Sequence, residues 1–217
     1  MLFYYHPLSS YCWKVLIALY ENATPFTPGM MEDDGIAQEW RTLWPIGKFP
    51  ILMDGDRLVA EASIIVEYLG QAAPGPFVPI PADPDTALEV RLMDRLFDNY
   101  VMAPMQAAVA DRIRPNGVPK DPFAVEQAMA LLAKAYDLIE ARIAGRHWAA
   151  GADFSLADCA AAPALFYADY VLPFRDSHPE LGAYMARLEA RPSFARVLEE
   201  KAPYFHYFPF ADAKGAR

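Results

Sequence analysis

Ser9-Ser10-Tyr11-Cys12-Trp13-Lys14-Val15 is the stretch on which the reading of this chain turns. Upstream lies Leu2-Phe3-Tyr4-Tyr5, a short apolar and aromatic run that reads as a buried strand. His6-Pro7-Leu8 breaks that run, and Val15-Leu16-Ile17-Ala18-Leu19 downstream reads as a buried or amphipathic helix. The two serines therefore fall at a strand-to-helix turn, at or just before a helix N-terminus. That end of a helix carries unpaired N–H groups and about +0.5 of a charge. A serine there can simply cap the helix. It can also present a hydroxyl donor to an anion, and a thiolate is an anion.

Working outward, strands and helices alternate up to about residue 73. The pattern predicts a helix over 11–21, a weak strand over 25–31 and a short helix over 36–43. A hairpin of 51–53 and 58–60 follows around Asp54-Gly55-Asp56, then a helix over 63–72. The stretch from Ala73 to Pro84 is dense in proline and cannot continue a helix, so it reads as a linker over 74–85. Beyond it the periodicity is helical. Leu88, Leu92, Leu96 and Met93, Phe97, Tyr100 mark a helix over 86–112 with a kink expected at Pro104. An Asp-Pro start opens a helix over 121–143. Ser155-Leu156-Ala157-Asp158 has the form of a capping box before an alanine-rich helix over 155–170, and 181–190 and 193–200 are shorter helices. The expected fold is α/β plus all-α. An N-terminal β-α-β, β-β-α domain of thioredoxin-like order spans 1–73, and a helical-bundle domain spans 86–217.

The 217 residues are enough for a full core, and 54% hydrophobic with 22% charged is an ordinary globular composition. A formal net charge of −9 argues against non-specific binding of nucleic acid or of an anionic membrane surface. Lys14, Arg41 and Lys48 nevertheless lie in or near the proposed site and are expected to give it local positive charge. Cys12 and Cys159 are too far apart for a metal-ligand motif, and they suit a reducing, cytoplasmic setting. No secretory signal pattern opens the chain and no apolar run is long enough to span a bilayer. His6, His147 and His178 form no metal or triad pattern, so no metal is expected.

Two later segments give the opening turn its meaning. Pro45-Ile46-Gly47-Lys48-Phe49-Pro50-Ile51-Leu52 is a loop entering a strand, and Leu58-Val59-Ala60-Glu61-Ala62-Ser63-Ile64-Ile65-Val66-Glu67-Tyr68-Leu69 is a strand entering a helix. In this order and spacing they resemble the soluble glutathione transferases. Ser-Ser-x-x-Trp-basic-Val-x-Ile-Ala-Leu is similar to the zeta-class opening. Gly-Lys-x-Pro resembles the family's cis-proline loop, and Glu-x-Ser-x-Ile-x-x-Tyr-Leu its glutathione-carboxylate motif. Gly151-x-x-Phe-Ser-Leu-Ala-Asp158 and Arg191-Pro192-Ser193-Phe194 resemble the helical domain's cap and closing helix, so the likeness covers nearly the whole chain.

The resemblance implies glutathione as substrate or cofactor, a homodimer, and a role in detoxification. Ser9, with Ser10 as the one-residue alternative, would donate a hydrogen bond to the glutathione sulfur. Phe49, before a cis Pro50, would pair with the peptide's cysteinyl unit, and Lys48 would approach the glycyl carboxylate. Glu61 would take the γ-glutamyl ammonium, with the N–H groups at Ala62 and Ser63 holding its carboxylate. Here the chain departs from the family's Glu-Ser or Gln-Ser pair. Ala62 follows Glu61, so a hydroxyl contact is lost or comes from Ser63. Tyr100, Met105, Tyr167 and Phe205 are the candidates for holding a small apolar electrophile. The arginine that zeta isomerases of maleyl-type diacids use is missing from 160–170, and that activity is not carried over.

Two other functions stay open. Cys12, near a helix N-terminus, could act as the nucleophile of a glutathione-dependent thiol reductase. The fold could also serve as a non-catalytic interaction module. The presence of Ser9, Phe49-Pro50 and Glu61 together favours the transferase, since a scaffold has no physical need of all three.

Overall fold

The computed structural model describes residues 1–214. The first part carries β1 (Leu2–Tyr5), α1 (Ser10–Glu21), β2 (Thr27–Met30), α2 (Ile36–Leu43), β3 (Ile51–Asp54), β4 (Arg57–Ala60) and α3 (Ala62–Ala72). The strands form one sheet in the order β2-β1-β3-β4. β1 runs parallel to β2 and antiparallel to β3, and β3 and β4 close an antiparallel hairpin. Side chains of β1 alternate as a strand's must. Phe3 joins the large core shared with α1 and α3, whereas Tyr4 packs on the other face with Trp40 and Ile51.

α1 is the structural axis. Every residue from Cys12 to Leu19 is buried, because the helix lies between the sheet and the helical half of the molecule. A helix enclosed on all sides needs an apolar circumference, which the Val15–Leu19 run supplies. Lys14, a charge inside that circumference, is the exception.

After a stretch from 73 to 83 without helix or strand come α4 (Pro84–Leu96), α5 (Ala103–Arg112), α6 (Pro122–Ile143), α7 (Leu156–Val171), α8 (Pro179–Glu189) and α9 (Pro192–Lys201). The capping box is formed. Asp158 Oδ2 accepts the Ser155 N–H at 2.9 Å and the Ser155 hydroxyl at 3.0 Å, while Oδ1 takes the Ala149 N–H and the Tyr184 hydroxyl. Among the described residues no helix is long and apolar enough to cross a membrane.

The region 86–112 differs from its sequence pattern in two ways. The deformation precedes Pro104: a π-helical turn, Phe97–Met102, joins α4 to α5, with the Ala103 N–H bonded to the Asp98 carbonyl five residues back. Pro104 has no N–H to offer, so the preceding turn cannot complete the regular ladder. The buried stripe also differs. Val90, Met93, Phe97 and Val101 face the core, while Leu88 and Leu92 are exposed. Of the expected stripe, Met93, Leu96 and Phe97 are buried and Leu88, Leu92 and Tyr100 are exposed, and the face turned inward also carries Asp94 and Asp98.

Candidate active site

A cleft of about 550 Å³ opens at the N-terminal end of α1, between the sheet-bearing half and the α4–α5 helix. Ser9 is on its wall. The residue is the α1 N-cap, with extended backbone, and its Oγ accepts the Cys12 N–H at 3.3 Å. An oxygen used as an acceptor in this way keeps its own hydrogen to donate. Ser10 begins the helix and is buried, with only the Gln106 amide reaching its Oγ at 3.4 Å.

The turn before Ser9 is fixed from several sides. Trp13 Nε1 donates to the Pro7 carbonyl at 2.6 Å, the Ser9 N–H to the His6 carbonyl at 3.0 Å, and the Leu8 N–H to His6 Nδ1 at 3.0 Å. The Tyr167 hydroxyl, from α7, donates to the Leu8 carbonyl at 2.8 Å. The helical half thus holds the turn on which Ser9 sits.

The Phe49-Pro50 bond is cis. Trp40 Nε1 donates to the Lys48 carbonyl at 3.1 Å, and the Phe49 ring packs against Trp40 and His6. Lys48, Phe49 and Pro50 all line the cleft. Glu61, also on the wall, is the α3 N-cap at φ 70 and ψ 120. A non-glycine residue at positive φ costs of order 1–3 kcal/mol and persists where its surroundings dictate it. The strained backbone starts α3 with its free N–H groups at the cleft and leaves the Glu61 carboxylate exposed, outside any cap bond.

Beneath this wall sits a charge cluster. Lys14 Nζ donates to Ser63 Oγ at 2.8 Å, to Asp98 Oδ2 at 2.9 Å and to Asp94 Oδ1. Arg95 completes it, bonding Asp94 Oδ2 and Asp98 Oδ2. Two cations thus meet two carboxylates. Burial pushes the Asp98 carboxyl up, and the Lys14 charge opposes that shift. Among the described residues, Asp98 Oδ1 is buried without a hydrogen-bond partner.

Several expected roles change in this geometry. Lys14 gives the cleft no free positive charge, because it is 1% exposed and neutralised by aspartates. The Ser63 hydroxyl belongs to the same cluster, bonding Lys14, Asp94 and Arg95, so its side chain is not at the disposal of a ligand carboxylate. None of Tyr100, Met105, Tyr167 and Phe205 lines the cleft. Tyr100 faces solvent and Met105 is buried. Tyr167 is buried against Trp13 and holds Leu8, and Phe205 packs on Phe166 and Tyr170. Instead the cleft wall gains Tyr11, Trp44, Arg95, Asp98, Asn99 and Gln106. Burial and the Asp98 charge push the Tyr11 hydroxyl up to about 12, so it stands as a neutral donor at pH 7.

Cys12 is 0% exposed, and burial pushes its thiol up to about 12 despite the Ser9 hydroxyl beside it. Cys159 is likewise buried and shifted upward. Because the thiolate is the reactive form, iodoacetamide is expected to leave both cysteines of the native protein unmodified and to alkylate both after denaturation. Native-state alkylation of Cys12, seen by peptide mass spectrometry, would contradict this placement. A second cavity, of about 520 Å³, lies at the other end of α1. Of its three charged residues, Glu21 and Arg191 are paired with each other at 2.6 Å, and Asp153 is the third.

The family models for the glutathione S-transferase N-terminal and C-terminal domains match residues 3–77 and 122–187. The chain is 31% identical over 159 residues to the glutathione S-transferase-like protein LUC7 of a Fusarium species, covering 72% of each chain. It is 29% identical over 219 residues to the FtsZ-localized protein A of Caulobacter vibrioides, covering 94% of this chain and 95% of that one. Among solved structures, a glutathione S-transferase from Methylobacillus flagellatus with glutathione bound superposes with a TM-score of 0.81 at 26% identity, covering 90% of this chain and 98% of that one. One from Methylobacterium radiotolerans, in complex with glutathione sulfonate, gives 0.78 at 28% identity, covering 90% and 93%. With both domain models matched in order and the cleft built where their halves meet, the chain belongs to the glutathione S-transferase family.

Proposed function

We propose that this protein binds glutathione in the α1 cleft, activates its thiol with the Ser9 hydroxyl, and delivers the thiolate to a small-molecule electrophile. It is an enzyme of the transferase family, with glutathione as substrate or cofactor, and we read it as serine-type with a zeta-like opening. The observation that carries the reading is the convergence, on one cleft, of Ser9, cis Phe49-Pro50 and Glu61 from three separate parts of the sequence. In this arrangement Phe49 offers its backbone to the cysteinyl unit and Lys48 its charge to the glycyl carboxylate. Glu61 takes the γ-glutamyl ammonium. The free N–H groups at Ala62 and Ser63 hold the γ-glutamyl carboxylate without a hydroxyl, since position 62 is alanine and the Ser63 side chain is already bonded.

Calorimetry tests this reading. Glutathione is expected to bind the wild-type protein, and Glu61→Ala is expected to weaken it by about 1–3 kcal/mol, the loss of a charge-assisted hydrogen bond. Unchanged affinity in Glu61→Ala would remove the anchoring role. The buried Cys12 thiol gives no support to a cysteine-based reductase. The non-catalytic interaction module keeps one supporting observation, the near full-length likeness to a relative named for its localization with FtsZ.

The proposal extends to a cytoplasmic homodimer acting in detoxification. Two free, buried cysteines suit a reducing compartment. Leu88 and Leu92 on α4, and Leu131 and Leu138 on α6, are exposed apolar residues of the kind an oligomer covers. Sedimentation equilibrium is expected to give twice the chain mass, with Leu88→Glu/Leu92→Glu shifting it toward the monomer. A monomeric wild-type protein at micromolar concentration would refute this part.

A further inference from the structure

Two consecutive peptide planes lead into Ser9, and each is pinned at both ends. In the plane joining Pro7 to Leu8, the Pro7 carbonyl accepts from Trp13 Nε1 at 2.6 Å and the Leu8 N–H donates to His6 Nδ1 at 3.0 Å. In the plane joining Leu8 to Ser9, the Leu8 carbonyl accepts from the Tyr167 hydroxyl at 2.8 Å and the Ser9 N–H donates to the His6 carbonyl at 3.0 Å. A rigid peptide plane held at both ends has little freedom to rotate, so these four bonds set the direction in which the Ser9 side chain leaves the backbone. Three side chains supply them. Trp13 and Tyr167 are buried in the core, whereas the His6 side chain is 32% exposed. The His6 ring also stacks on Phe49 of the cis-proline loop, with centroids 6.1 Å apart and planes 18° from parallel. Its partners fix its chemical state. Nδ1 accepts an N–H and so carries no proton, which leaves the hydrogen of the neutral ring on Nε2, 2.9 Å from Glu32 Oε1.

We infer that His6 is a positioning residue for thiol activation: as the Nδ1 acceptor of the Leu8 N–H it aims the Ser9 hydroxyl at the glutathione sulfur. This rests on the reading of Ser9 as the hydroxyl that activates the thiol. In that reading Phe49 holds the backbone of the cysteinyl unit and Ser9 must meet the sulfur of the same unit. His6 ties the two together, through Nδ1 to the turn before Ser9 and through its ring to Phe49. The tie matters because a hydrogen bond weakens steeply as its angle closes. A turn freed at the Leu8 N–H lets the hydroxyl wander from the line to the sulfur. His6 itself is not on the cleft wall, so it acts through Leu8 and Ser9 and not as a base on the thiol. Its bond to the N–H two residues on is the one that an Asn side chain makes in an Asx turn. Asparagine at position 6 therefore keeps the acceptor and has no imidazole to take a proton.

The test titrates the ultraviolet thiolate absorbance of bound glutathione, at saturating glutathione, in wild type, His6→Leu, His6→Asn, Ser9→Ala and Ser9→Ala/His6→Leu. The His6 side chain is partly exposed, so its variants are expected to fold, and circular dichroism checks each. His6→Leu keeps an apolar contact for Phe49 and removes the acceptor. It is expected to raise the thiolate midpoint by about half a unit to one unit, a loss of roughly three- to tenfold in thiolate at neutral pH. His6→Asn is expected to return the midpoint close to that of wild type. In the Ser9→Ala background His6→Leu is expected to add nothing, since residues that act through one another are not additive. A midpoint unmoved by His6→Leu, a shift that His6→Asn fails to reverse, or a shift that adds in full to that of Ser9→Ala would overturn the inference while leaving the Ser9 reading intact. A midpoint unmoved by Ser9→Ala would overturn both.

Discussion

Ser9→Ala is expected to lower turnover at neutral pH by about ten- to a hundredfold, equivalent to roughly 1.4–2.8 kcal/mol. Ser9 Oγ accepts the Cys12 N–H and so has its own hydrogen to give. A hydrogen bond to a charged acceptor contributes about 1.5–3 kcal/mol, enough to move a thiol normally near 8.5 down by about one to two pKa units. Without the hydroxyl, less of the bound thiol is ionised at pH 7. Raising the pH should therefore recover part of the lost rate, because the thiol then ionises unaided. Ser10→Ala is expected to do less, since its side chain is buried beside Gln106 rather than on the cleft wall. Steady-state kinetics across pH check each step. A Ser9→Ala rate that falls equally at all pH values would mean that the hydroxyl positions the substrate without lowering its pKa.

Lys14→Met is expected to destabilise the fold by about 3–5 kcal/mol, the usual cost of removing one partner from a buried ion pair. The variant would leave Asp94 and Asp98, both under 10% exposed, facing each other with only the half-exposed Arg95 for compensation. With total stability of order 5–15 kcal/mol, that is a large share. The triple variant Lys14→Met/Asp94→Leu/Asp98→Asn removes the stranded charges and is expected to recover most of the loss, as hydrophobic replacement of buried ion clusters often does. Urea denaturation followed by circular dichroism measures both. A loss below about 1 kcal/mol in the single variant, the level of a surface pair, would mean that Lys14 is not enclosed as described.

These two residues also show what the sequence could and could not reveal. Ser9 was legible because its signal is local: a strand of four, a breaking His6-Pro7, a cap position and an apolar helix all lie within twenty residues. Phe49-Pro50 and Glu61 were legible for the same reason, each sitting at the start of a short element with its own punctuation. Lys14 read as local positive charge because its partners lie eighty residues on, and nothing in its neighbourhood announces them. On α4 the expected Met93, Leu96 and Phe97 are buried, whereas Leu88 and Leu92 have the same apolar chemistry but lie on the exposed side. The polar cleft wall was hidden by the π turn. Tyr100 and Met105 are apolar residues of the segment that carries this turn, and from it the cleft is lined by Asn99 and Gln106. Tyr167 is a core residue packed on Trp13 that reaches the Ser9 turn through Leu8, and Phe205 is partly buried against Phe166.

If Ser9 at the α1 N-terminus holds glutathione as the thiolate, the ionisation of bound glutathione must depend on its hydroxyl. Titration of the ultraviolet thiolate absorbance of glutathione bound to wild type and to Ser9→Ala measures that dependence. A thiolate largely formed at neutral pH is expected in wild type, with a midpoint about one to two units higher in Ser9→Ala. Identical titrations of the two proteins, or a midpoint in wild type equal to that of free glutathione, would contradict it.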